Sequence, residues 1–271
     1  VKEGYLWRKR SQSAPSWLPF LEKIFGNRIV LTQESYRETL AIEIYLKNRS
    51  EGKILQKNFG GRVLSFHSKR WEKWQRASHY PLKIGKQLLV VATESQRARC
   101  QRQYPHRKIL WIPAEAAFGT GFHATTFLCL RELIKHYPFS SLIDIGTGSG
   151  ILAIAAAQLG CKEVLALDND PVAIRVAKQN ALRNQVNVSW KVKKMEHFQP
   201  LAKVEGVVAN LFSEMLVAHA KKIASWIKKD GFLILSGIRN YQMKEVQNVF
   251  SFLKAKEIFQ KEGWCCMIFQ K

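Results

Sequence analysis

The 271-residue sequence predicts an α/β protein, in which a parallel sheet covered by helices is preceded by a small α+β domain. Three observations carry this prediction. From about Ile112 onward, short apolar strands alternate with helical segments, the βαβα order that builds a parallel sheet. Inside that region a glycine-rich turn, Asp144-Ile145-Gly146-Thr147-Gly148-Ser149-Gly150, leaves a strand and enters a helix. Ahead of it, Thr39 to Leu46 alternates apolar and other residues with period two, as a half-buried strand does.

Taken in order, the first domain spans 1–66: the strand at Thr39–Leu46, a short helix in 47–61 closed by Gly60-Gly61, and a strand from Arg62 to Phe66. Residues 67–111 read as a connector with a helix and one strand. Its helix, 68–78, sets Trp71 and Trp74 three residues apart on one face for packing between domains, and its strand is Leu88 to Ala92. The α/β domain is 112–271. It opens with a loop and a helix from Phe127 to His136 that Thr125 or Thr126 can cap. Leu142–Ile145 is a buried strand, Ile151–Leu159 an Ala-rich helix and Val164–Leu167 the next strand. Pro171–Asn184 is a helix with Asp170 as its N-cap and Pro171 in its first turn. Strands at Val186–Val192, Gly206–Ala209 and Phe232–Leu235 follow, with helices at Glu214–Ile227 and about Gln242–Leu253. A hairpin closes the pattern across Glu262-Gly263.

Composition narrows the function classes. An apolar content of 46% with 16 Gly and 5 Cys excludes a disordered chain, a collagen and a disulfide-framed miniprotein. The cysteines are odd in number and lack CxxC pairs, so no metal site is expected; adjacent Cys265 and Cys266 read as strand packing. No run of about 18 apolar residues or signal peptide is visible, so no membrane association is expected; the scattered cysteines suit a reducing cytoplasm, and the chain is expected to be a monomer. The formal charge is +22, and it is uneven. Residues 1–110 carry 23 Lys+Arg against 8 acids, and 111–271 carry 20 against 13. Such a field concentrates polyanions such as RNA. A general basic bias of the source proteome would give the same count.

Four places carry chemistry. The glycine turn lets backbone approach a ligand and offers free N–H groups at a helix start. Its G-x-G-x-G spacing misses the G-x-G-x-x-G of dinucleotide sites, which favours another nucleoside ligand. Asp168, 22 residues beyond Gly146 at the end of the next strand, suits the two hydroxyls of a ribose. Asn210 follows the strand Gly206–Ala209 and would offer an amide beside the reacting centre. Finally, the segment 114–126 mixes glycines, hydroxyls, aromatics and His123 without a packing period.

Together, Phe118-Gly119-Thr120-Gly121, His123 and Thr125-Thr126, the glycine turn, Leu167-Asp168-Asn169-Asp170-Pro171, Val208-Ala209-Asn210-Leu211 and Leu233 to Ile238 resemble the PrmA family. These are bacterial methyltransferases acting on lysines and the N-terminal amine of the eleventh large-subunit ribosomal protein. The resemblance covers about Trp71 to residue 271. It implies a Rossmann-like class I methyltransferase domain with a seven-stranded, mostly parallel sheet, using S-adenosylmethionine, behind a small domain that recognises the ribosomal protein substrate. It places Thr125, Gly146, Gly148, Asp168 and Asn210 on the cofactor, with Asn210 also catalytic. Phe118 and Phe122 are expected to wall the amine pocket. The sequence departs from the family at Ala114-Glu115-Ala116, where Asp-Pro-Gly is usual, and at Ala124, where proline is usual. On this reading the basic N-terminal part contacts ribosomal RNA. Two alternatives stay open: an RNA methyltransferase, although Leu211-Phe212 after Asn210 is not the Asn-Pro-Pro-Tyr of base methylases, and a non-catalytic ribosome assembly factor with a methyltransferase fold.

Overall fold

The computed structural model describes residues 3–12, 15–25, 29–34, 39–46, 48–67, 81–113 and 123–271. The helix expected at 68–78 with Trp71 and Trp74, and the segment 114–122 with Phe118 and Phe122, lie outside the described residues. Two compact units form, Val1–His79 and Tyr80–Lys271.

The first unit runs β1 (Glu3–Ser11), α1 (Leu18–Phe25), β2 (Ile29–Glu34), β3 (Thr39–Leu46), α2 (Arg49–Phe59) and β4 (Arg62–His67). Its antiparallel sheet has the order β2-β3-β1-β4, a split βαβ arrangement. The period-two strand, the helix and the strand after Gly61 lie where the sequence places them. Trp7, Leu18, Leu21, Ile42, Ile44 and Leu55 make its core.

The second unit begins with a three-stranded sheet, β5 (Leu82–Ile84), β6 (Leu88–Val91) and β7 (Lys108–Trp111), with α3 (Glu94–Gln103) between β6 and β7. The connector with one strand therefore needs correcting: its described part holds three strands and a capped helix. Leu88 and Val90 are fully buried in the same core as Leu128 and Ile154, which ties this stretch to the second unit.

Next come α4 (Ala124–His136), β8 (Ser141–Ile145), α5 (Ile151–Leu159), β9 (Glu163–Asp168), α6 (Pro171–Arg183), β10 (Ser189–Val192), β11 (Val204–Asn210), α7 (Ser213–Ala218), α8 (Ala220–Ser225), β12 (Ile227–Arg239), α9 (Met243–Val249), β13 (Lys254–Lys261) and β14 (Trp264–Gln270). The seven strands lie in the order β10-β9-β8-β11-β12-β14-β13, parallel except that β14 is antiparallel to both neighbours. Alternation sorts side chains to two buried faces. Leu142, Val208 and Ile234 join one core, and Ile143, Val207 and Leu233 the other.

Three local expectations are corrected. The helix expected over Glu214–Ile227 is two short helices, and Ile227 already belongs to β12. Thr125 and Thr126 do not cap α4, because the helix starts at Ala124 and buries both in its first turn. The strand expected from Val186 begins only at Ser189.

Candidate active site

The parallel register fixes where the predicted residues meet. Ile145 of β8 is level with Leu167 of β9 and with Ala209 of β11. The next residue on each strand is therefore Gly146, Asp168 or Asn210, so these three share one row across adjacent strands at the carboxyl edge of the sheet. With strands about 4.8 Å apart, Asp168 and Asn210 stand about 10 Å from each other with Gly146 between them. The chain leaves β8 toward β9 and β10 on one side and returns to β11 on the other. That reversal is where α/β sheets open a ligand crevice.

The turn after β8 is built from its own hydrogen bonds. Gly146 and Thr147 donate their N–H groups to Leu167 O at 2.8 and 3.1 Å, Gly150 N–H to Thr147 O at 2.8 Å, and Gly148 N–H to Asp168 Oδ2 at 2.9 Å. These four N–H groups are consumed within the protein; the first helical N–H groups, from Ile151 on, are separate from them. Gly146, Gly148 and Gly150 all have positive φ, of 69°, 54° and 82°.

Asp168 also accepts from Asp170 N–H at 3.0 Å, while Asp170 caps α6 through Val172 N–H at 2.7 Å. A carboxylate has about four acceptor positions, so Asp168 keeps capacity for hydroxyl donors. Asn210 Nδ2 donates to Thr126 Oγ1 at 3.4 Å, a long bond that leaves the amide free to tighten on another partner. Thr125, the neighbour placed on the cofactor, is hydrogen-bonded through Oγ1 to His123 Nδ1 at 2.8 Å. Burial, helped by the Arg239 charge, pushes the His123 imidazole down to about 4, so it is neutral at neutral pH. Its ring meets Trp264 edge-on at 4.8 Å.

Two residues of the site were not singled out from the sequence. Thr126, and not Thr125, touches Asn210; nothing in a Thr-Thr pair tells which one faces the strand end. Asp144 is the sole acid in a fully buried strand, and that is a usable signal. It accepts from Thr147 Oγ1 at 2.6 Å and from Ala153 N–H at 3.2 Å, while Oδ1 has no partner among the described residues. Burial raises its pKa to about 7 against these two bonds, and the nearby Asp168 charge adds to the rise.

Known proteins share this architecture and these sequences. A family model described as ribosomal protein L11 methyltransferase (PrmA) matches residues 24–271. A protein of that name from Caldicellulosiruptor saccharolyticus is 34% identical over 230 residues, covering 83% of this chain and 71% of the relative. Another from Chloroflexus aurantiacus is 35% identical over 231 residues, covering 74% and 69%. The crystal structure of a ribosomal protein L11 methylase from Lactobacillus delbrueckii subsp. bulgaricus aligns with a TM-score of 0.63 at 25% identity. It covers 69% of this chain and 96% of its own. The seven-stranded domain is thus a Rossmann-like class I methyltransferase fold, and the chain belongs to the PrmA family of ribosomal protein L11 methyltransferases.

Proposed function

We propose that this chain transfers methyl groups from S-adenosylmethionine to lysine and N-terminal amines of ribosomal protein L11, working as a cytoplasmic monomer, with residues 1–66 recognising the substrate and the basic N-terminal part meeting ribosomal RNA. The observation that carries the chemistry is the Asp168, Gly146, Asn210 row at the carboxyl edge of β9, β8 and β11. Asp168 would hold the ribose hydroxyls of the cofactor, and Gly146 and Gly148 would let backbone approach it. Thr125 would close the site from α4. Bound there, S-adenosylmethionine supplies a methyl group already activated on a sulfonium centre.

The protein's own task is to present a neutral amine in line with that methyl. An ammonium has no lone pair, so the acceptor must lose its proton first, and apolar surroundings favour the neutral form. Asn210 then orients the amine through its side-chain carbonyl, an acceptor for N–H. Alignment of this kind needs no strong general base, and His123, though close to Thr125, is not required as one.

Replacing Asn210 by Ala is expected to cut methyl transfer by about two orders of magnitude while cofactor affinity changes only a fewfold. Purified protein, tritiated S-adenosylmethionine and unmodified L11 provide the assay. Undiminished turnover would reject the role, and no cofactor binding by calorimetry would favour an assembly factor with this fold.

A further inference from the structure

A block of unneutralised charge lies in the sheet that opens the second unit. Residues 82–111 carry seven Lys and Arg against a single acid, Glu94. Among the described residues, no carboxylate pairs with any of the seven.

The fold gathers five of them at one end of β5, β6 and β7. Lys83 Nζ and the Arg107 guanidinium lie 4.9 and 5.7 Å from the centroid of the Tyr104 ring, just past the end of α3. Arg107 donates through Nη1 to Gly85 O at 3.0 Å, and Lys108 N–H donates to Gln87 O at 2.8 Å. The β5–β6 turn, the end of α3 and the start of β7 are therefore tied together. Lys83, Lys86, Arg102 and Lys108 project from them, all exposed. Stability does not call for such a cluster, since like charges held close repel and, among the described residues, no carboxylate offsets them.

The surroundings decide what partner fits. Around the cluster α3 exposes Arg99, Gln101 and Gln103, and no large apolar residue among 81–113 is exposed. A membrane surface would call for apolar anchors, and a protein interface for an apolar or aromatic centre. A polymer of closely spaced phosphates calls for neither.

We propose that Lys83, Lys86, Arg102, Arg107 and Lys108 form a binding surface for the RNA phosphate backbone. It deepens the ribosomal reading above by giving the RNA contact one place, and its test does not depend on methyl transfer.

The full chain and a Lys86→Ala/Arg102→Ala/Lys108→Ala variant are titrated with a fluorescein-labelled single-stranded RNA of about 20 nucleotides, by anisotropy over a range of KCl. Each lost phosphate contact lowers the slope of log affinity against log salt by about 0.7. The variant is thus expected to lose about two in slope and about tenfold in affinity at ~0.1 M salt. Methylation of isolated L11 should be unchanged. Equal affinity and slope for both proteins would overturn the proposal. So would an equal loss in an Arg49→Ala/Lys53→Ala/Lys57→Ala variant, because the net charge alone would then be acting. Phosphatidylserine vesicles or polyglutamate that bind as tightly as RNA and lose as much in the variant would overturn it too. Wild-type protein that binds RNA as expected but leaves L11 unmethylated would count against the methyl-transfer reading and leave this one standing.

Discussion

Leu211, the residue after Asn210, is held between two glycines. A Cβ on Gly146 would stand 2.3 Å from Leu211 Cδ2, and a Cβ on Gly237 would stand 2.2 Å from Leu211 O. Both glycines have positive φ, 69° and 83°. Leu211 N–H donates to Ser236 O at 3.1 Å, so its backbone and side chain are both fixed. Gly146→Ala is expected to cost about 2–4 kcal/mol, from the left-handed backbone and the displaced leucine. Because that displacement reaches Asn210, methyl transfer should fall further than the loss of folded protein explains. Denaturant titration and a turnover assay on the same sample separate the two effects. Asp144 gives a second residue-scale prediction. Its folded pKa of about 7 stands above the ordinary 3.8, so between those values the folded state holds a proton that the unfolded chain has released. Its stabilising contribution is full below about pH 4 and is lost as pH rises through about 7. In Asp144→Asn that difference, at most about 4 kcal/mol, should vanish. Chemical denaturation at pH 5 and pH 8 compares the two proteins, and equal pH dependence would refute the assignment.

At the scale of elements, the β13–β14 hairpin turns on two residues, Glu262 and Gly263, with φ of 52° and 79°. Both values are left-handed, as a two-residue primed turn requires. Glutamate pays for that backbone where asparagine tolerates it, so Glu262→Asn is expected to stabilise the protein by about 0.5–1 kcal/mol, seen as a raised denaturant midpoint. This turn was legible in the sequence, as were the strands built from unbroken apolar runs, such as Val164–Leu167 and Gly206–Ala209. The site residues at their ends were legible for the same reason, since an acid or amide ending such a run must sit at the sheet edge. Two strands that carry charge were not legible. β1 places Arg8, Lys9 and Arg10 in a strand whose core residue is Trp7, and Lys9 lies over the Trp17 ring at 5.2 Å. Its ammonium group is held over an aromatic face, so a charged residue serves a strand that its charge disguises. β7 opens on Lys108 and spans only four residues, too few for a period to show. The sequence offers Thr126 only as a helix cap, because its facing toward Asn210 depends on α4 starting at Ala124, three residues before the apolar run from Phe127.

At the scale of the whole molecule, each unit has its own core. The cluster around Trp7 uses residues of the first unit alone, and the two large clusters on either face of the seven-stranded sheet use residues of the second. Residues 80–271 are therefore expected to fold without the first unit and to bind S-adenosylmethionine within a fewfold of full-length affinity, measured by calorimetry. Failure to do so would mean that the second unit's core is insufficient alone. The order of the large sheet has a consequence for synthesis. β13 is translated before β14 yet ends at the edge, while β14 takes the interior place beside β12. A growing chain that has made β13 has no partner to offer it, and pairing it directly with β12 would occupy the seat of the strand still to come. The edge place of β13 is completed only once β14 is made, whereas β9, β8 and β11, whose carboxyl ends carry Asp168, Gly146 and Asn210, pair with one another and precede both in the chain, so the row that carries the site does not wait for the last strand.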